Sequence, residues 1–127
     1  MKTVLLDTNA LLRFLLNDIP NQADQVEALF RETKSGKLRL VVPEIVVFEI
    51  HFALLKYYKF PKDEVIDKLK SVLSAQFLTV ESEEVFLRGL SLYRGANVSF
   101  VDCFLIAKSD VGRAELFSFD RKLQKKR

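Results

Sequence analysis

The chain has 127 residues, of which 49% are apolar and 29% charged, and these values are typical of one soluble globular domain. No apolar run reaches the ~18 residues of a membrane span, and a single cysteine excludes an internal disulfide. The net charge of +3 comes from the last seven residues, because 15 basic and 17 acidic residues remain without them. We expect a single domain over residues 1–127 and a cytoplasmic location. The basic tail is expected either to bind phosphates or to form a solvated helix end.

The start of the chain predicts a strand that leads directly into a helix. Val4, Leu5 and Leu6 form an unbroken apolar run, as in strands buried on both faces of a parallel sheet. Asp7 follows this run, and residues 10–16 are then rich in helix-forming side chains. Open α/β sheets bind their ligands at the carboxyl ends of the strands, so we expect Asp7 at a ligand-binding edge.

Apolar periodicity, interrupted by Pro, Gly and Asn, divides the remaining sequence into helices and strands. The predicted helices cover about residues 22–34, 43–58, 62–74, 83–94 and 100–110, and the predicted strands cover about residues 38–42, 77–80 and 116–119. A short basic helix is expected after Asp120. This alternation predicts an α/β fold whose parallel sheet is covered by helices on both faces.

Three aspartates fall where this topology places the carboxyl edge of the sheet. Asp7 follows the first predicted strand, Asp120 follows the last, and Asp102 lies in the first turn of the helix between strands. Each has a simpler interpretation as a helix cap, because Asp is favoured there and Ser99 and Asp102 have the spacing of a capping box. Their common placement is what indicates a site.

Glu49 is harder to explain as an ordinary surface residue. Its neighbours three and four positions away on the predicted helix are apolar, with Ile45 and Phe52 among them. An unpaired buried carboxylate costs several kcal/mol, so Glu49 is expected to have a metal ion or a basic side chain as partner. An ion pair inside the core is the alternative. Helical side chains lean toward the N-terminus of their helix, which directs Glu49 toward Asp7.

A cluster of these four acids requires a counter-charge. Two like charges ~4 Å apart repel by ~4 kcal/mol at an effective dielectric constant of about 20. Such a cluster therefore persists with a bound cation or with some of its members protonated. Ligands that are all oxygen favour Mg²⁺ or Mn²⁺ over zinc, and a metal-activated water suits phosphodiester hydrolysis.

Other catalytic chemistries find little support in the sequence. The only histidine, His51, is two residues from Glu49 and hence on another helix face, which favours a packing or surface role. Cys103 lacks the arginine of a Cys-x5-Arg phosphatase loop, because Ser109 stands at that position. The four glycines form no phosphate-binding loop.

Two further functions remain as alternatives, and a third, a response-regulator receiver, does not fit the sequence. A phosphatase of the haloacid-dehalogenase type also begins with a strand and an aspartate, but it needs a second aspartate where this chain has Asn9. A response-regulator receiver would need an acceptor aspartate after the third strand, where Glu81 stands. A catalytically inactive RNA-binding or scaffold module is the non-enzymatic alternative, and it would bind no metal.

Four segments together resemble the PIN-domain ribonucleases, in particular the VapC-type toxins of toxin–antitoxin pairs. The segments are residues 7–13, 43–54, 100–107 and 117–123. The resemblance implies a three-layer α/β/α sandwich with a central, mostly parallel sheet, and a Mg²⁺- or Mn²⁺-dependent endoribonuclease. It also implies a homodimer that is inhibited by an antitoxin, a segment of which covers the acidic site.

The resemblance also assigns roles to individual residues. The implied acidic quartet consists of Asp7, Glu49, Asp102 and Asp120. Asp7 and Asp102 are the implied direct metal ligands. The residues expected to orient the carboxylates or a bound water are Thr8, Asn9 and Ser118. The chain departs from many relatives in having Ser99 at the position of a further acid and Ser118 at that of a threonine.

Overall fold

A computed structural model describes residues 1–125. The strands are β1 (Lys2–Leu5), β2 (Leu38–Val42) and β3 (Leu78–Val80). The α-helices are α1 (Thr8–Leu16), α2 (Pro20–Lys34), α3 (Glu44–Phe52), α4 (Lys62–Leu73), α5 (Glu83–Gly95), α6 (Phe100–Gly112) and α7 (Arg121–Lys125), and a π-helix (Ala53–Tyr57) directly follows α3. The chain divides into two compact units, an N-terminal unit of Met1–Glu81 and a C-terminal unit that begins at Ser82.

The N-terminal unit contains a parallel sheet with the strand order β1-β2-β3. Leu5 pairs with Val41, and Val42 pairs with Val80. The central strand is almost entirely apolar and buried, as expected of a strand with neighbours on both sides. Helices connect consecutive strands in both crossovers, which is the usual connection between parallel strands. The predicted α/β class and the parallel sheet are therefore confirmed.

The expectation that the first strand is buried on both faces is wrong. β1 lies at the edge of the sheet among the described strands, and Leu5 is 68% exposed. Leu6, which follows the strand, is buried. An apolar run predicts extended structure, but its burial depends on what packs against each face, and sequence periodicity does not report that.

The fourth predicted strand, residues 116–119, is also wrong. This segment forms no ladder within residues 1–125, and the rings of Phe117 and Phe119 are 84% and 90% exposed. The Asp120 N–H donates to Ser118 Oγ over 3.0 Å. Local bonds from serine side chains to the backbone compete with sheet pairing, because they satisfy the backbone groups that a ladder would use.

The predicted helices are confirmed, with one change of type. α1 ends at Asn17, whose left-handed backbone (φ 50°) suits Asn, and its N–H donates to the Arg13 carbonyl. The helix predicted over residues 43–58 is split into α3 and the π-helix, after which the Tyr58 N–H donates to the Ala53 carbonyl over 2.9 Å. Single π-turns inside helices are often found at functional sites.

The last described element is a short basic helix. The predicted basic helix after Asp120 is confirmed as α7, whereas Lys126 and Arg127 of the basic tail lie outside the described residues. Within residues 1–125, every helix is too short or too polar to cross a bilayer.

Candidate metal centre

Asp7 caps the helix that follows the first strand. It is the N-cap of α1, and its Oδ1 accepts a hydrogen bond from the Ala10 N–H over 2.8 Å. The side chain is exposed, and Oδ2 accepts no hydrogen bond from the described residues. The cap fixes the orientation of the carboxylate and leaves one oxygen available to a ligand.

Glu49 is connected to the same helix end through Thr8. The Thr8 hydroxyl donates to Glu49 Oε1 over 3.0 Å, and Thr8 is the first residue of α1. Because Thr8 adjoins Asp7, this bond brings the carboxyl groups of Asp7 and Glu49 to the same end of the N-terminal unit. The second oxygen of Glu49 has no hydrogen-bond partner within residues 1–125.

The expected burial of Glu49 is wrong. Its side chain is exposed, and Ile45 and Phe52 on the same face of α3 are each 64% exposed. Apolar neighbours in a helix therefore did not indicate a core position here. The alternative of a core ion pair is absent too, since the described part of the chain offers Glu49 no cationic partner.

Asp102 and Asp120 both lie in the C-terminal unit. Ser99 caps α6, where its Oγ accepts from the Asp102 N–H over 3.1 Å, and the half-buried Asp102 carboxylate itself accepts no hydrogen bond from the described residues. Asp120 Oδ1 accepts from the N–H groups of Lys122 and Leu123 at 2.9 and 3.4 Å. Asp102 and Asp120 were expected at the carboxyl edge of the sheet because a strand was predicted at residues 116–119, and this strand does not form within residues 1–125. That these two carboxylates lie close to Asp7 and Glu49 therefore stays a prediction.

The donor set of these acids fits a hard divalent cation. Each of the four carboxylates keeps at least one oxygen without a partner among residues 1–125, and no described basic side chain pairs with any of them. The described residues contain no group of three or more His, Cys, Asp or Glu side chains in reach of one ion. Mg²⁺ retains several waters and commonly uses one or two carboxylates, so it does not require a larger protein cage.

The histidine and the cysteine are placed as packing residues. Burial, with Lys56 and Lys62 as smaller causes, lowers the pKa of His51 to about 4, so the imidazole is neutral at pH 7. Cys103 is fully buried in α6. The His51 imidazole therefore carries no extra proton at pH 7 with which to act as a general acid, and the buried Cys103 thiol is inaccessible to a substrate.

Sequence reasoning missed Arg13, which is the principal buried charge of the N-terminal unit. Arg13 is only 8% exposed, yet it lines a cleft of about 520 Å³ together with Asp7 and Asn9. Its NH2 donates to Tyr58 Oη over 2.9 Å, and its NH1 lies 3.3 Å from Asp18 Oδ2. An arginine within an apolar helical run was the available signal for this role.

Sequence reasoning also missed Glu81, which follows β3. Its Oε1 accepts from the Glu44 N–H over 2.8 Å, at the start of α3. Pro43 has no side chain able to cap this helix, so Glu81 supplies the missing acceptor. Glu81 therefore has a structural role at the carboxyl end of β3.

Comparison with known proteins identifies the family. A curated VapC ribonuclease from Aquifex aeolicus (strain VF5) is 29% identical over 122 residues, which cover 95% of this chain and 90% of that protein. No solved structure gives a significant match. The family profile of the PIN domain matches residues 4–127, almost the full length. The chain belongs to the PIN-domain family.

Proposed function

We propose that this protein is a metal-dependent endoribonuclease, the toxin of a toxin–antitoxin pair. The observation that carries the proposal is the N-terminal end of α1, where the Thr8 hydroxyl beside Asp7 binds Glu49. Asp7 and Glu49 each present an oxygen without a partner among the described residues. The similarity to a VapC ribonuclease over 95% of the chain supports RNA as the substrate. The span of the PIN profile over residues 4–127 supports one domain as the functional unit.

The acids have distinct proposed roles. Asp7 and Asp102 hold Mg²⁺ or Mn²⁺, and Glu49 and Asp120 complete the acidic quartet. A cation bound there supplies an activated water and offsets negative charge on the phosphoryl group. The capped Asp7 carboxylate needs little reorganisation to bind, because the Ala10 N–H already fixes its Oδ1.

The chain's own residues also position the attacking water. The Thr8 hydroxyl holds Glu49 Oε1, which leaves Oε2 to accept the proton of the water whose oxygen attacks phosphorus. A bond from that oxygen to phosphorus forms as the bond from phosphorus to the leaving ribose oxygen breaks. The leaving oxygen takes a proton from solvent water, and Glu49 then releases its proton to solvent. Asn9 and Ser118 orient the water or the carboxylates by hydrogen bonds.

The proposal includes partners. A homodimer in the cytoplasm, inhibited by a cognate antitoxin that covers the acidic site, follows from the resemblance to VapC-type toxins. Purified protein that carries a bound antitoxin would be inactive, so the assay uses protein refolded after denaturing purification.

The experiment is cleavage of total cellular RNA with Mg²⁺ or Mn²⁺ against EDTA. Asp7→Asn should lower the cleavage rate at least ~100-fold, which corresponds to ~2.7 kcal/mol of transition-state stabilisation. Asn is also a good N-cap, so the variant should keep the fold. Asp24→Asn is the matched control, because Asp24 is an exposed aspartate of α2 that belongs neither to the four acids nor to the lining of the cleft beside Asp7, and its rate should equal that of wild type. Metal-independent cleavage, or full activity of Asp7→Asn, would overturn the proposal.

A further inference from the structure

The cleft beside Asp7 has properties that metal binding does not explain. It lies in the N-terminal unit at the junction of the end of β1 with α1 and α2, and its volume is about 520 Å³. This volume falls within the roughly 300–1,000 Å³ of typical small-molecule sites. The apolar part of its lining consists of Leu6, Ala10, Val26 and Leu29. The cleft is therefore large enough for a flat organic group and apolar enough to hold it.

Arg13 contributes to this cleft a buried donor without an acceptor. Two of its guanidinium nitrogens are engaged, NH1 with Asp18 and NH2 with Tyr58, whereas Nε is buried and has no hydrogen-bond partner within the described residues. An unsatisfied buried donor costs about 1–3 kcal/mol and is uncommon in native proteins. Arg13 lines the cleft, but Nε itself is not exposed to solvent, so an acceptor on a bound molecule would satisfy this group once the Arg13 side chain shifts toward the cleft.

Neutral amide side chains supply the remaining polar groups of the cleft. They are Asn9 of α1 and Asn21, Gln22 and Gln25 of α2. None of these carboxamides forms a hydrogen bond with another described residue, so each offers both a donor and an acceptor. Gln22 and Gln25 are three positions apart on α2 and hence on one face.

The charge balance disfavours a phosphate as the occupant. Asp18 offsets the charge of Arg13 at 3.3 Å, and the carboxylate of Asp7 is part of the lining. An anion would meet this carboxylate, whereas a neutral ring with a polar edge would not. Asn and Gln are the side chains that pair with base edges, and unstacked bases in pockets are the usual target of RNA recognition.

We propose that this cleft binds an unstacked nucleobase of the RNA substrate, next to the phosphodiester that is cleaved. The proposal rests on the proposed ribonuclease function, since Asp7 belongs both to the cleft and to the acidic site. The faces of the base lie against the apolar lining, and its edge bonds with the carboxamides of Asn21, Gln22 and Gln25. After a shift of the Arg13 side chain toward the bound base, its Nε–H donates to a carbonyl or ring nitrogen of that edge. The cleft thereby gives the enzyme a base preference at one position beside the cleavage site.

The first test measures binding without catalysis. Each of the four ribonucleoside 5′-monophosphates is titrated into the ¹⁵N-labelled full chain in EDTA, with ribose 5-phosphate as the control lacking a base. At least one nucleotide should shift the Arg13 Nε–H signal and the carboxamide signals of Gln22 and Gln25, and ribose 5-phosphate should not. Equal shifts with ribose 5-phosphate would assign the cleft to phosphate, and no shift with any nucleotide would overturn the proposal.

The second test maps the bases flanking the cleavage sites in total RNA. The double variant Gln22→Ala/Gln25→Ala should weaken the base preference at one flanking position by at least roughly fivefold. Gln76→Ala, which changes an exposed glutamine outside the cleft, should leave the preference as in wild type. An unchanged preference in the double variant would contradict the proposal. Nucleotide binding without cleavage would overturn the ribonuclease function alone, whereas cleavage without nucleotide binding would overturn the cleft alone.

Discussion

Asp7 and Asp120 occupy the same local position in very different surroundings. Each accepts backbone hydrogen bonds at the start of a helix, from Ala10 in one case and from Lys122 and Leu123 in the other. Asp7 follows a strand paired along its length with β2, and it precedes a nine-residue helix. Asp120 follows a segment that forms no strand among the described residues and has two exposed phenylalanines, and it precedes a helix with five described residues.

This comparison separates helix capping, which depends on nearby residues, from strand pairing, which does not. An apolar run, an aspartate and a helix occur in both places, and in both places the aspartate caps the helix. Capping depends on groups within three residues, so the sequence alone determines it. A strand also needs a neighbouring edge, and only the first segment has one among the described residues. The backbone that holds Asp7 is therefore fixed by the sheet, whereas the backbone that holds Asp120 is not.

The largest expected difference in the free energy of unfolding is between variants of two buried leucines, one in each capped helix. Leu11 of α1 is fully buried, so Leu11→Ala should lower the free energy of unfolding by about 3 kcal/mol. Leu123→Ala should cost about 1 kcal/mol, because the described part of α7 has five residues and a short helix that can open locally contributes little to global stability. Urea denaturation of both variants measures the difference. Equal losses would show that α7 supports the fold as strongly as α1.

The N-cap residues Asp7 and Asp120 should also contribute unequally to the free energy of unfolding, with the larger contribution from Asp7. Asp7→Ala removes a cap from a packed helix and should cost about 1 kcal/mol, whereas Asp120→Ala should cost only a few tenths. Thermal denaturation at pH 7 provides the comparison, with Asp7→Asn as the variant that keeps a capping oxygen. A larger loss for Asp120→Ala would reverse the proposed order of support.

His51 allows pH to test the N-terminal unit by itself, because it is the only histidine. Its pKa is about 4 when folded, against an ordinary 6.5, so the unfolded chain binds more protons between these values. The free energy of unfolding should therefore be fully retained above pH 6.5 and fall as the pH decreases toward 4. For a half-buried group we expect a loss on the order of 1 kcal/mol. Urea titrations of wild type and His51→Gln at pH 7 and 5 measure it, and an identical pH dependence in the variant would contradict the assignment.

The smallest expected effect concerns the last three residues of the basic tail. Deleting residues 125–127 removes three positive charges and should reduce the slope of log K against log salt for single-stranded RNA by about 2. Fluorescence anisotropy of a labelled RNA in EDTA gives this slope without cleavage. An unchanged slope would show that the tail does not contact phosphates.

Much of the fold could be predicted because its causes are local. Apolar periodicity predicted every α-helix to within a few residues, and the spacing of Ser99 and Asp102 predicted the observed cap of α6. The buried central strand β2 was predicted with the observed bounds. Burial of β1 and pairing of residues 116–119 depend on packing partners, and the sequence pattern does not contain them.

In the candidate site, too, features that depend on packing partners could not be predicted from the sequence. Glu49 was expected to be buried and paired because its helical neighbours are apolar, but it is exposed. Arg13, which also has apolar helical neighbours, is the residue that is buried and paired. Both residues lie in apolar helices, and only the packing of α1 against its neighbours distinguishes them. The partners of Arg13 are Asp18, in the turn after α1, and Tyr58, positioned by a π-helix that periodicity did not predict.

The most direct test of the central claim is Mn²⁺ binding followed by electron paramagnetic resonance. Wild type should bind Mn²⁺ without RNA, and both Asp7→Asn and Asp102→Asn should weaken binding at least ~10-fold, with Asp24→Asn unchanged. That result would show that carboxylates of the two units hold one ion. Wild-type affinity in Asp102→Asn, or in both variants, would contradict the account.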